Sequence, residues 1–324
     1  MVCLQPPRRR NAPGYVQPFT QNVRDSVSAL GEEKLIARIR RWLGTVSPRA
    51  PFGIGDDCAV LPGVRGRQLI TVDPVIYGRH FDATVPPRAA GAKLLKRNLS
   101  DLAAMGGRPT AAVLSLILDA KVSATWLEQF YRGLAACARH YRVPIVGGDV
   151  AQADGMVAAS LTLLGRPAGL RIVTRTGARA GDWIYATGVL GGSRRSGHHH
   201  AFTPRLAEGA WLARRPAVRA MMDISDGLAK DLHALTPRGA QPALDAAAIP
   251  RRNGVGLAAA LGEGEDYELV FALARPTDRA IFERAWRKAF PRTRLTCVGR
   301  FVRAAAWPVG ALNPDDYRGY EHLR

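Results

Sequence analysis

The chain has 324 residues, 47% of them hydrophobic, and its 46 lysines and arginines against 27 aspartates and glutamates leave a net charge of +19. At roughly 150 residues per domain this length predicts two domains, and no apolar run reaches the ~18 residues needed to span a membrane. A sequence pI near 10.8 admits nucleic acid, an anionic surface or phosphorylated small molecules as partners, but aromatics at only 7%, not interleaved with the basic residues, argue against a nucleic-acid stacking platform.

Residues 1–30, with a triple arginine, prolines and no periodicity, are expected to form a flexible leader. The N-terminus lacks the continuous apolar segment of a secretory signal. From Gly31 to Leu43 apolar residues recur at helical spacing. The glycine turn Gly53-Ile54-Gly55-Asp56-Asp57 follows and is expected to feed an apolar strand through Leu61. A strand is predicted over 68–72, ending at Asp73, then a helix over 89–105 stopped by Gly106, Gly107 and Pro109. Strand 111–118, an amphipathic helix over 123–141, strand 143–146 ending in Gly147-Gly148-Asp149, and strand 157–164 complete a first α/β domain, assigned to 31–166. The second, 167–324, starts with a basic link and strand 183–186, then a glycine-rich stretch and a helix over 205–213. A strand-turn-helix at 221–235, strand 267–273, helix 277–289 and strand 295–299 follow. Cys3, Cys58, Cys137 and Cys297 have no Cys-x-x-Cys spacing, so neither a disulfide framework nor a zinc site is predicted, and the expected setting is cytoplasmic.

The chemistry lies in aspartates set beside glycines or at strand ends: Asp56-Asp57, Asp73, Asp101, Asp149, and the pair Asp223 and Asp226 in Asp-Ile-Ser-Asp-Gly. In open α/β folds ligands gather where strands end, and hard oxygen ligands suit Mg²⁺ bridged to phosphates. Each island alone has an ordinary explanation; Ser225 or Asp226 would serve as an N-cap for the helix after it. Five islands in one basic chain point instead to a divalent-metal site. Lys93, Lys96 and Arg97, next to Asn98 and Asp101, and Arg175 in the basic link between the domains would suit a polyphosphate. No P-loop or protein-kinase motif set is present. The run His198-His199-His200 is expected in an exposed loop, because three consecutive side chains converge poorly on one ion.

These motifs occur in a recognisable order: 53–61 (GIGDDCAVL), 98–109 (NLSDLAAMGGRP), Gly147-Gly148-Asp149, 174–182 (TRTGARAGD), 222–232 (MDISDGLAKDL), 264–271 (GEDYELVF) and 316–322 (DYRGYEH). The set resembles the thiamine-monophosphate kinase family, in the superfamily of aminoimidazole ribonucleotide synthetase. The resemblance covers residue 31 to the end. It implies an α/β fold of α+β type, with an N-terminal sheet domain that dimerises and a C-terminal α/β domain. It also implies ATP-dependent phosphorylation of thiamine monophosphate to thiamine diphosphate, with several Mg²⁺ ions as cofactor, ATP as co-substrate and a homodimeric assembly. Under it, Asp57, Thr71, Asp73, Asp101, Asp149, Asp223 and Asp226 bind metal. Gly148, Arg175, Ser225 and Tyr131 contact ATP, and His80, Glu265 and Tyr320 hold the acceptor.

The chain departs from the family pattern at Val72 and Val150, where hydroxyl residues are usual, and at Arg194, Arg195 and the histidine run. A phosphate monoester is mostly ionised at neutral pH, its second pKa being about 6, so no general base is required. The alternatives are another ATP-using enzyme of the same superfamily, or a basic nucleic-acid-binding protein, which would leave the aspartates unexplained.

Overall fold

The computed structural model describes residues 17–49, 52–54, 59–63 and 66–321. Residues 17–30 are held in place. The Val27 N–H donates to the Val122 carbonyl and the Thr20 N–H to that of Lys121, while the Asp25 carboxylate accepts from the hydroxyls of Ser123 and Thr125. The leader expected over 1–30 therefore does not extend through this segment, and residues 1–16 lie outside the described ones.

Helix α1 (Glu32–Leu43) opens with two glutamates and closes with Arg40 and Arg41, charges that complement the helix dipole, and buries Leu35, Ile39, Trp42 and Leu43. Strand β1 (Leu69–Ile76) runs on past Asp73. Helix α2 (Pro87–Ala104) and strand β2 (Gly107–Leu118) follow. Helix α3 (Ala124–Tyr141) is capped by Ser123, whose hydroxyl accepts from the Trp126 N–H. Strands β3 (Ile145–Gln152) and β4 (Val157–Pro167) complete a four-stranded sheet of order β1-β4-β2-β3. Pro74 sits in an edge strand of this sheet, where a missing N–H costs no ladder bond. No strand forms at Ala59–Leu61, where Val60 and Leu61 are exposed.

The second sheet is antiparallel, with order β6-β8-β5-β9-β7. Its strands are β5 (Trp183–Thr187), β6 (Val218–Ile224), β7 (Gln241–Leu244), β8 (Glu268–Leu273) and β9 (Leu295–Val302). Period-two alternation serves both faces. Ile184, Ala186, Val270 and Ala272 pack with α6 (Leu228–Leu235) and α7 (Leu257–Gly262). Tyr185, Leu269, Phe271 and Leu273 pack with α5 (Leu206–Ala213) and α8 (Arg279–Ala289). The register shift between Val218 and Ala220 switches that parity, so Val218 and Met221 share one face while Ala220 and Met222 share the other. Trp286, 1% exposed, contributes about 2–3 kcal/mol by burial alone. Strand β7 and helix α7 were not foreseen; β7 is four residues long with Pro242 inside it, an edge strand by position.

The chain divides into two units, one of residues 1–60, 74–95 and 113–161, the other of residues 61–73, 96–112 and 162–324. Strands β1, β2 and β4 and helix α2 each pass from one to the other. Among the described residues no helix is long and apolar enough to cross a membrane.

Candidate active site

In the second unit the start of β1, the end of α2 and the end of β6 bring together Thr71, Asp73, Asp101 and Asp223. The Thr71 hydroxyl donates to Asp101 Oδ2 at 2.5 Å, and the Ser100 hydroxyl to Asp223 Oδ2 at 2.6 Å. Arg97 pairs with Asp73 at 3.1 Å. Burial, then the charges of Asp223 and Asp73, push the Asp101 carboxyl up to about 8, against the opposing effect of Thr71 and Arg97. Burial also raises Asp223, with Asp73 adding to it and Ser100 and Arg175 opposing. Negative charge thus exceeds positive in a place short of water, a condition that a bound cation relieves. Alternation along β1 puts Thr71 and Asp73 on one face and Val72, 60% exposed, on the other. The missing hydroxyl at position 72 therefore does not subtract from this cluster.

The turn after β6 is held by the helix that follows it and by two stretches distant in sequence. The backbone N–H groups of Ser225 and Asp226 both donate to Asp231 Oδ2, at 3.0 and 3.1 Å. The Ser225 carbonyl accepts from the Glu265 N–H at 2.7 Å, and that of Asp226 from the Tyr320 N–H at 2.9 Å. Glu265 and Tyr267 hold positive φ, 56° and 51°, a strained setting for non-glycine residues that tends to occur at functional sites. The N-cap expected from Ser225 or Asp226 is not made. Gly227 occupies that position without a side-chain bond, and Asp231 in the helix's first turn reaches back to hold the turn instead. Arg175 is exposed, on a segment whose Thr174 carbonyl accepts from the Met221 N–H at 3.0 Å.

In the first unit a recess of about 510 Å³ is lined by Ile36, Ile39, Tyr131, Gly148, Asp149 and Val150, among others. Gly148 is obligatory in β3, since a Cβ there would lie 2.1 Å from the Leu114 carbonyl oxygen. Asp149 beside it is exposed. Tyr131 is 2% exposed, and burial pushes its phenol up, so it presents a neutral hydroxyl. His80 accepts the Ile76 N–H at Nδ1, 3.0 Å away, which puts its ring proton on Nε2. Lys93, fully buried, donates to the His80 carbonyl at 2.7 Å and fixes that turn.

Several expectations need correction. Lys93 is internal, Lys96 lies over the Phe202 ring and donates to the His200 carbonyl, and Arg97 pairs with Asp73, so these three cations hold the protein rather than stand ready for a polyphosphate. The histidine run begins a short helix, α4 (His198–Ala201), with His199 buried rather than in an exposed loop. Burial holds the His198 imidazole below its usual range, and its Nε2 donates to the Asp266 carbonyl at 2.9 Å. Asp57 lies outside the described residues, as do Asp56 and Cys58.

Sequence reasoning missed Asp231 and also Lys230, which pairs with Asp226 at 2.9 Å. Their signal was the helical phase that returns both to the turn before them. Among the described residues no three His, Cys, Asp or Glu side chains form a closed metal cage. Mg²⁺ does not ask for one, because it takes one or two carboxylates and completes its shell with water and phosphate. The all-oxygen donors of Thr71, Asp73, Asp101 and Asp223 fit that ion.

A family model for AIR synthase related protein, N-terminal domain, matches residues 55–166. The thiamine-monophosphate kinase of Salmonella typhimurium is 34% identical to this chain, with 91% of this chain and 99% of that protein covered. A crystal structure of thiamine-monophosphate kinase from Stenotrophomonas maltophilia K279a has a TM-score of 0.69 at 30% identity, covering 83% of this chain and 93% of that one. AaThiL complexed with AMPPCP and TMP has a TM-score of 0.66 at 27% identity, covering 92% and 98%. With identity at this level over nearly the whole of both sequences, the chain belongs to the thiamine-monophosphate kinase family.

Proposed function

We propose that the chain transfers the γ-phosphoryl group of ATP to thiamine monophosphate, giving thiamine diphosphate and ADP. The observation that carries this reading is the cluster of Asp73, Asp101 and Asp223, in which Asp223 and Asp73 add to the upward push of burial on the Asp101 carboxyl and Asp73 adds to that on Asp223. An AaThiL structure that holds AMPPCP and TMP together supports the choice of donor and acceptor.

Asp57, Thr71, Asp73, Asp101, Asp149, Asp223 and Asp226 would hold Mg²⁺. When bound, the ions supply neutralising charge to the phosphoryl oxygens in flight. Tyr131 and Gly148, at the apolar recess, hold the nucleotide together with Arg175 and Ser225. Gly148 lets backbone approach the nucleotide closely, and Arg175 meets phosphate with a fork of donors. His80, Glu265 and Tyr320 hold the acceptor. Because the acceptor phosphate is already ionised, no side chain need remove a proton. The chain's own work is to bring two polyanions into line and exclude water. The γ-phosphoryl bond to the ADP oxygen breaks as its bond to the acceptor phosphate oxygen forms, with no phosphoenzyme between.

The setting we infer is cytosolic, in keeping with only four cysteines in the sequence and no Cys-x-x-Cys spacing among them. The assembly we infer is a homodimer, supported by Ile70 and Val72, apolar residues 71% and 60% exposed on one face of β1. Purified protein with ATP, Mg²⁺ and thiamine monophosphate, followed by chromatography, should accumulate thiamine diphosphate. No product with any divalent cation would overturn the reading.

A further inference from the structure

The last described residues run along α6 and end on the turn that carries Asp226. His233 lies 3.2 Å from Asp315, and the Tyr320 N–H donates to the Asp226 carbonyl at 2.9 Å. Gly319 makes the approach possible, since a Cβ there would lie 2.4 Å from Lys230 Cβ and 2.9 Å from the Asp226 carbonyl oxygen. At the centre is the Lys230 ammonium. It contacts Asp226 Oδ2 at 2.9 Å, donates to the Tyr320 carbonyl at 2.5 Å, and lies 3.7 Å from Glu321 Oε1. An ammonium has three N–H donors, and here they face a carboxylate on the turn, a carbonyl of the tail and a carboxylate of the tail.

We propose that Lys230 is a positioning residue that couples Tyr320, on the acceptor side, to Asp226, on the cation side. The inference rests on the roles given to those two residues above. Lys230 shares the Asp226 carboxylate with any cation that binds there and so competes with it. It also holds the tail that presents Tyr320. Removing the ammonium therefore has opposite effects on the two ligands. Asp226 regains its full charge for Mg²⁺, while the tail loses the ammonium's bond to the Tyr320 carbonyl and its attraction for Glu321, and presents Tyr320 less firmly to the acceptor. A lysine that merely stabilised the fold would, on removal, weaken every ligand together.

The test uses the full chain with Lys230→Met and Lys230→Arg. Mg²⁺ and thiamine monophosphate are titrated calorimetrically, KM is measured for both substrates, and hydrogen exchange is followed at the Tyr320 amide. In Lys230→Met, Mg²⁺ should bind severalfold more tightly. Thiamine monophosphate should bind about tenfold more weakly, the size of one or two lost charge-assisted hydrogen bonds. KM for ATP should hold steady and the Tyr320 amide should exchange faster. Lys230→Arg should recover most of the acceptor affinity. Unchanged acceptor affinity, or a joint loss for Mg²⁺, ATP and acceptor, overturns the coupling. A wild-type protein that does not turn over thiamine monophosphate overturns the substrate reading. The Mg²⁺ titration and the Tyr320 exchange rate then judge the tether alone: tighter Mg²⁺ with faster exchange supports it, and no change in either refutes it.

Discussion

The Ser100 hydroxyl donates to Asp223 at 2.6 Å, joining α2 to the end of β6 where both side chains are buried. A buried carboxylate that loses such a donor bears its desolvation uncompensated. Ser100→Ala should therefore cost about 1–3 kcal/mol of stability, measured by urea unfolding, and lower turnover as well. Ser100→Thr, which keeps the hydroxyl, should recover most of both. Equal stability of the alanine variant and wild type would show that the bond contributes nothing.

Asp149 offers the opposite balance. It is exposed on β3, so Asp149→Asn should leave unfolding within about 0.5 kcal/mol of wild type. If it meets cations and phosphate, its loss should cut turnover at least about a hundredfold. Near-normal turnover in that variant would remove it from the metal set.

Gly148→Ala tests the recess through geometry. The added methyl would lie 2.1 Å from the Leu114 carbonyl oxygen, so β3 must shift. A loss of about 1–3 kcal/mol is expected, with a rise in KM for ATP and a smaller one for the acceptor. An alanine variant with unchanged melting and unchanged KM would mean that β3 yields at no cost.

How far the sequence could be read followed from the range of the interactions. Aspartates beside glycines and at strand ends were visible because residue types and spacing are local, and most helices and strands announced themselves by period. Helix α2 shows the limit. Lysine, arginine and asparagine in a helix suggest solvent, yet Lys93, Arg97 and Asn98 are buried, because their partners, such as the His80 carbonyl and Asp73, come from elsewhere in the fold. Asp231 escaped notice for the same reason, since its value lies in two backbone donors that only a folded turn presents. The short α4 and the proline-bearing β7 lacked the length to carry a period.

The acid range offers a separate check on the segment that packs before α1. Burial alone would raise the Asp25 carboxyl, but hydrogen bonds from Ser123 and Thr125 outweigh it and hold it below its usual range. A carboxyl depressed by folding adds stability above its unfolded pKa of about 3.9, and that stability is lost as pH falls through the folded value. Asp25→Asn should thus cost about 1 kcal/mol between pH 5 and 8, with the gap to wild type closing below about pH 4. A gap that persists unchanged into acid would assign the effect to shape rather than charge.

The central claim is a direct, metal-assisted transfer in which no side chain of this protein serves as base or phosphoryl carrier. Stereochemical analysis with ATP made chiral at the γ-phosphoryl group tests it most directly. A single in-line displacement onto thiamine monophosphate predicts inversion at phosphorus in the thiamine diphosphate formed; retention would require a phosphoenzyme and contradict the account.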